Sequence, residues 1–229
     1  MHPTLTFGLM AVLATITGCH CLLEKKLVKD LLNDYDTNVI PITAEEPLVT
    51  VDHGLTVISI RKFDRHLLEL NTWSSMMWID PSLKWVPSKY NNVNMVSVFH
   101  DQVWIPDVTT YNTYHPEPIM KDIRVAIKDN GLVIFVPQTK TVLTCKVSTD
   151  AEEVYTCHVK LGSWTYSGNK MDLVNSGGIV DMSEYSVDDD WVITNTTVVR
   201  NVDTYSCCTE SYISLLYTIE LKPRHHRHC

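Results

Sequence analysis

The chain has little of several things that would point to common functions. Glycine is scarce, 8 in 229 residues, and none falls in the spacing that cradles a phosphate, which excludes the usual nucleotide-binding loops. Basic residues are outnumbered, with 19 Lys and Arg against 27 Asp and Glu and a formal net charge of -8. Sequence-independent nucleic-acid binding needs clustered Lys and Arg to neutralise phosphates, so it is excluded and a cationic ligand is favoured. There is no nucleophile elbow, no HExxH pattern and no cysteine spacing of a zinc or catalytic site. No enzyme, metal centre or cofactor is expected. Long apolar runs are lacking too, apart from residues 5–18, which are too few for the roughly 20 residues of a membrane-spanning helix.

That run, bounded by Thr17, Gly18 and Cys19, suits the core of a secretory signal peptide covering residues 1–21, with cleavage between residues 18 and 21. The mature protein is expected to be secreted, with no membrane span. Seven cysteines in an exported chain read as disulfides, and the odd count leaves at least one without an internal partner. Asn195-Thr196-Thr197 is an N-glycosylation acceptor, consistent with the same route. The tail, residues 224–229, carries His225, His226 and His228. It reads as a chain terminus before it reads as a metal site.

Leu23, Leu27, Leu31 and Tyr35 recur every fourth residue among Glu24, Lys25, Lys26, Lys29 and Asp30, predicting an amphipathic helix over residues 22–35. Pro41 lies beyond it. From there the period becomes two, with Val, Ile, Thr and Tyr prominent, as in strands. Asn130-Gly131 between Val125/Ile127 and Val133/Phe135 predicts a hairpin. In the last strand Ile213, Leu215, Tyr217, Ile219 and Leu221 share one face, with Ser214, Thr218 and Glu220 on the other. A helix followed by roughly ten strands, with no βαβ alternation, predicts an all-β, immunoglobulin-like β-sandwich over residues 22–223.

Two aromatics fall on the polar side of their strands. Tyr212 is in register with Ser214 and Thr218, and Trp164 with His158, Lys160 and Gly162, opposite Cys157, Val159 and Leu161. Each either covers a neighbouring loop or faces a ligand. Cys207 and Cys208 are adjacent, between Tyr205 and Tyr212. Consecutive Cα atoms lie about 3.8 Å apart, less than the roughly 4.4 to 6.8 Å usual for bridged cysteines, so a bond between them implies a tight, rigid turn. The alternatives are bonds elsewhere or free thiols.

These residues resemble the acetylcholine-binding proteins and the extracellular domains of nicotinic Cys-loop receptors. The likeness runs from about Leu22 to Pro223 and rests on Asn71-Thr72-Trp73, Trp104-Ile105-Pro106-Asp107 with Tyr111-Asn112, the stretch Lys160-Leu161-Gly162-Ser163-Trp164-Thr165-Tyr166, and Tyr205-Ser206-Cys207-Cys208 with Tyr212. The resemblance implies a homopentamer binding small cationic amines, of the acetylcholine, nicotine or serotonin type, at its subunit interfaces. Tyr111, Trp164, Tyr205, Cys207, Cys208 and Tyr212 would form the principal face and Asp107 would brace it. Trp73, Ser75, Ala126, Lys128, Ile134 and Val136 would form the complementary face. Lys128 reads either as a charge repelling the ligand or as an outward, solvated ammonium.

The resemblance also pairs Cys145 with Cys157, closing a loop worth about 3 kcal/mol of unfolded-state entropy. In channel-forming relatives that loop is apolar and meets a membrane domain. Here Ser148, Thr149, Asp150, Glu152 and Glu153 suit it to water. The acidic residues Asp181, Glu184, Asp188, Asp189 and Asp190, in the segment from Gly177 to Trp191, are expected either to form a solvated loop or to rim the neighbouring site and attract cations or hold Ca²⁺.

Overall fold

The computed structural model describes residues 22–113, 117–119, 122–147 and 153–224. The expected signal segment with Cys19 and Cys21, loop residues 148–152, and the tail residues His225, His226, His228 and Cys229 lie outside them. The described part of the helix, α1, covers residues 22–32. Leu27 is fully buried, and Val28, Leu31, Leu32 and Tyr35 pack against the core, the face that the four-residue spacing predicted. α1 stops short of the expected Tyr35 because Asp34 turns left-handed, φ 61°, a conformation that Asp tolerates better than most residues. Tyr35 is thereby freed from the helix. Its hydroxyl donates to Asp80 Oδ2 at 2.6 Å and accepts from the Trp104 backbone N–H at 3.1 Å.

Among the described residues twelve strands follow: β1 (Val49–Phe63), β2 (Leu67–Lys84), β3 (Met95–Phe99), β4 (Val108–Thr110), β5 (Glu117–Pro118), β6 (Arg124–Lys128), β7 (Asn130–Phe135), β8 (Gln138–Val147), β9 (Tyr155–Ser163), β10 (Met171–Val174), β11 (Trp191–Thr204) and β12 (Ser211–Pro223). The expected all-β sandwich forms, with more strands than anticipated because β4 and β5 are short pieces without a periodic signature. Hydrogen bonding runs β11-β12-β9-β8-β2-β7-β6-β3, and β1 lies between β2 and the parallel β10. The long β2 joins the parts. Its first half pairs with β8 and its second with β7, the switch falling at Pro137, whose carbonyl accepts the Ser74 N–H at 3.0 Å.

Alternation decides what is inside. Ile213, Leu215, Tyr217, Ile219 and Leu221 of β12 are buried, as are Tyr155, Cys157, Val159 and Leu161 of β9 and Val49, Val51, Leu55 and Val57 of β1. Each such aliphatic side chain contributes roughly 1.5 to 3 kcal/mol on burial. Ser214 departs from the expected solvent-facing side and is fully buried, its hydroxyl satisfied there by donating to Asp203 Oδ2 at 2.7 Å. The hairpin at Asn130-Gly131 forms between β6 and β7. Gly131 has φ 83°, and a Cβ there would stand 2.4 Å from the Asp80 carbonyl oxygen, so both conformation and space call for glycine. Cys145 and Cys157 stand directly opposite each other in the β8–β9 register and are bonded.

One buried polar cluster ties the layers together. Tyr217 reaches from β12 to β1, where its hydroxyl lies 2.7 Å from His53 Nδ1 and 2.9 Å from the His53 carbonyl oxygen, while His53 Nε2 lies 2.9 Å from Ser74 Oγ. Burial disfavours the imidazolium and pushes the His53 pKa down to about 4. Among the described residues no helix is long and apolar enough to cross a membrane.

Candidate ligand-binding site

The site is built on β9 and the two segments beside it. β4 pairs with the end of β9, Thr109 opposite Gly162, and the Tyr111 N–H donates to the Lys160 carbonyl at 2.8 Å. Asn112 extends the lock by accepting the Lys160 N–H at 2.7 Å. The Tyr111 ring then lies over Gly162, where a Cβ would stand 2.5 Å from its hydroxyl oxygen. That hydroxyl donates to the Ser163 carbonyl. Burial, followed by the nearby Tyr205, Asp107 and Asp203, pushes the Tyr111 pKa up and keeps it a neutral phenol.

Asp107 holds the turn after β9. Its Oδ1 accepts from Ser163 Oγ at 2.5 Å, and its Oδ2 accepts from the Thr165 N–H at 2.8 Å and Thr165 Oγ1 at 2.7 Å. Trp164 is fixed between these anchors, yet its side chain makes little contact with the core and the residue is 71% exposed. Its ring meets Tyr111 edge-on, with centroids 6.2 Å apart at 73°.

The β11–β12 hairpin supplies the rest. Its last pair is Thr204 opposite Ser211, so Cys207 and Cys208 lie at the tip, where they are bonded to each other. Tyr205 and Tyr212 meet edge-on with centroids 5.8 Å apart. Tyr111, Trp164, Tyr205, Cys207, Cys208 and Tyr212 together line one hollow of about 450 Å³. These are the residues assigned to the principal face from the sequence.

A cation stands close by and is neutralised. Lys160 Nζ lies 5.9 Å from the centre of the Tyr111 ring and 2.9 Å from Asp203 Oδ2. Burial acts to raise the Asp203 pKa, but hydrogen bonds from Lys160 and Ser214 outweigh it and hold the carboxyl below its ordinary range. The pair therefore stays ionised with its charges balanced, and the hollow keeps no free positive charge on that side. Asp203 was not singled out from the sequence. Strand parity shows only that Lys160, on the outward face with Trp164, needs a partner; that Asp203 supplies it follows from the β9–β12–β11 register.

The residues assigned to the complementary face do not line this hollow. Trp73, Ser75, Ala126 and Ile134 are half-buried, Lys128 and Val136 exposed. Trp73 and Ser75 alternate with the buried Thr72 and Met76 on β2, and Ala126 stands opposite Ile134 between β6 and β7. Met77, which the sequence reading passed over, stands opposite Ile134 and is exposed. Asp188 accepts the Asp190 and Trp191 N–H groups at 2.9 Å. Among the described residues no group of three or more His, Cys, Asp or Glu could hold a metal ion.

A sandwich carrying an open aromatic hollow beneath a disulfide-tipped hairpin has the form of a ligand-binding module. Residues 24–225 match the family described as the neurotransmitter-gated ion-channel ligand binding domain, and the chain belongs to that family. It is 29% identical over 206 residues to the neuronal acetylcholine receptor subunit alpha-9 of Gallus gallus, covering 86% of this chain and 42% of that subunit. It is 28% identical over 204 residues to the human subunit alpha-5, covering 87% of this chain and 44% of that subunit. The chain thus spans less than half the length of these relatives. Its fold matches that of a Capitella teleta AChBP in complex with lobeline, with a TM-score of 0.78 and 22% identity, covering 89% of this chain and 99% of that one.

Proposed function

We propose that the protein binds small quaternary or protonated amines in a box of aromatic faces, and that the box is completed by Trp73 of an adjoining copy within a secreted homopentamer. The observation that carries this reading is the convergence of Tyr111, Trp164, Tyr205 and Tyr212 on one hollow. A quaternary ammonium has a diffuse charge and no N–H to donate, so π-faces are its best partners, each worth up to about 2 kcal/mol once water is excluded. The open side of the hollow and the exposure of Trp164 support a second wall from outside the protomer. Ser75, Ala126, Ile134 and Val136 are the residues offered for it, with Lys128 at its margin. Asn195 is exposed on β11 and is offered as the glycan acceptor. The relatives' printed names, acetylcholine receptor subunits and a lobeline-bound AChBP, support an amine ligand.

The test is a titration of the exported protein with acetylcholine, nicotine and serotonin, following tryptophan fluorescence, alongside its mass in solution. Saturable quenching by at least one amine and a pentameric mass are expected. A monomer that no amine quenches would sink the reading. The Gly162→Ala variant probes the geometry: its methyl must displace both the Tyr111 phenol and the Ile213 carbonyl, whose oxygens stand 2.5 and 2.9 Å from the Cβ position. Amine affinity is expected to fall at least about tenfold, with stability lowered by about 1 to 3 kcal/mol.

A second reading, that the chain is the ligand-binding part of a Cys-loop channel subunit, is favoured by its covering only 42% and 44% of the receptor subunits it matches. Finding the native protein in the membrane fraction instead of the medium decides for it.

A further inference from the structure

Trp73 has little to aim it except its own strand. It is half-buried on β2, and among the described residues its indole makes no hydrogen bond and no ring contact. The strand changes partners at this point. On one side the pairing with β8 ends at Trp73 opposite Gln138, and the pairing with β7 begins at Met76 opposite Phe135. Ser74 and Ser75 fall in the gap, where the ladder gives way to a single backbone bond, from the Ser74 N–H to the Pro137 carbonyl at 3.0 Å. A strand that leaves its regular ladder depends on other hydrogen bonds to keep its course.

Side-chain bonds take over on the β1 side, where Leu55 stands opposite Ser74 and Gly54 opposite Ser75. The Ser75 hydroxyl donates to the Gly54 carbonyl at 3.3 Å, and the Ser74 hydroxyl meets His53 Nε2 at 2.9 Å. The second is the firmer, because His53 is itself held on every side. It is 1% exposed, its Nδ1 lies 2.7 Å from the Tyr217 hydroxyl, and its carbonyl accepts from that hydroxyl and from Asn175 Nδ2, both at 2.9 Å. Burying an imidazole is costly unless its nitrogens find partners. Here the partners come from two other strands, Tyr217 from β12 and Ser74 from β2. A buried polar cluster satisfied in this way is rigid and permits one arrangement of the strands that meet in it.

We propose that His53 is a positioning residue for amine binding: through Ser74 it fixes the course of β2 at the partner switch, and so sets the angle at which Trp73 meets a ligand held in the hollow of the adjoining copy. The proposal rests on the function given above, in which Trp73 closes the box. A cation is attracted to a ring only where it lies over the ring face, within about 6 Å of its centre. A small change in the backbone at Ser74 is therefore felt in affinity, although His53 itself touches no ligand.

The test is a double-mutant cycle on the assembled protein, titrated calorimetrically with acetylcholine, nicotine and serotonin. His53→Leu leaves Tyr217 its bond to the carbonyl of residue 53 and so releases chiefly Ser74. Affinity is expected to fall about five- to tenfold. In a Trp73→Ala background, itself weakened by about tenfold, the same substitution is expected to change affinity by less than about twofold, because the ring that it misaims is gone. His53→Gln, which can meet both hydroxyls, is expected to bind within about twofold of the native protein. Ser74→Ala, which leaves His53 and Tyr217 in place, is expected to repeat the His53→Leu result in both backgrounds, and it decides the matter if His53→Leu does not assemble. No loss in His53→Leu or in Ser74→Ala, a loss of equal size with and without Trp73, or a His53→Gln loss as large as that of His53→Leu overturns the positioning role while leaving the box standing. A Trp73→Ala protein that binds as tightly as the native one overturns the second wall of the box and the positioning role with it. No binding of any of the three amines by the native protein overturns both readings.

Discussion

Trp164→Ala is expected to weaken the binding of a quaternary amine by roughly 30- to 1000-fold, equivalent to about 2 to 4 kcal/mol, while leaving the fold intact. The two halves of that expectation come from different observations. The loss is large because Trp164 presents the largest π-face in the hollow that it lines with Tyr111, Tyr205 and Tyr212. The fold survives because the residue is 71% exposed and its ring's described contact is with Tyr111 alone. Thermal stability should therefore change by no more than about 0.5 kcal/mol. Trp164→Phe keeps a smaller face and should lose less. A neutral carbon isostere of the ligand, with the same shape and no charge, should bind the native protein about as weakly as the amine binds Trp164→Phe or worse. If the isostere and the amine bind alike, the box recognises shape and not charge, and the cation–π account fails.

Much of this arrangement could be read before any coordinates because the deciding facts are local. Period-two burial placed Trp164 and Tyr212 outside their strands without knowledge of the neighbours. The adjacency of Cys207 and Cys208 at a hairpin tip needed only the sequence between β11 and β12. What could not be read depends on register between strands distant in sequence. The close approach of the Ser75 hydroxyl to Gly54 exists only because the two stand opposite each other, and the β1–β2 pairing shifts twice, between Val57 and Ser59 and between Ile60 and Lys62. No single-strand pattern encodes such shifts. The Lys160–Asp203 pair escaped for the same reason, since the partners are 43 residues apart by their numbers and meet only through β12, which lies between their strands. The end of α1 was misplaced because Tyr35 keeps the apolar spacing of the helix while serving the core as a hydrogen-bonded anchor on Asp80.

The buried His53 makes stability depend on pH in a direction that can be fixed in advance. In the unfolded chain an imidazole takes up a proton below about pH 6.5; in the folded protein burial holds that step down to about 4. Between those values the unfolded state binds more protons, so stability rises with pH across the window and is lost on acidification. Acidifying from pH 7 to pH 5 should cost about 2 kcal/mol from this residue alone. The carboxylates whose pKa values are lowered, Asp30, Asp36, Asp64, Asp181 and Asp203, protonate below this window and contribute little within it, while the Asp80 carboxyl, raised by burial, acts in the opposite direction. Urea unfolding at fixed protomer concentration, which keeps any assembly term constant, reads the slope directly. His53→Gln retains a side chain able to meet both the Tyr217 and the Ser74 hydroxyls, and it should flatten the curve between pH 7 and pH 5 even if it lowers the whole of it. An unchanged slope in that variant would mean that the proton is taken up elsewhere, and that the Tyr217–His53–Ser74 cluster joins the two layers without setting how they respond to acid.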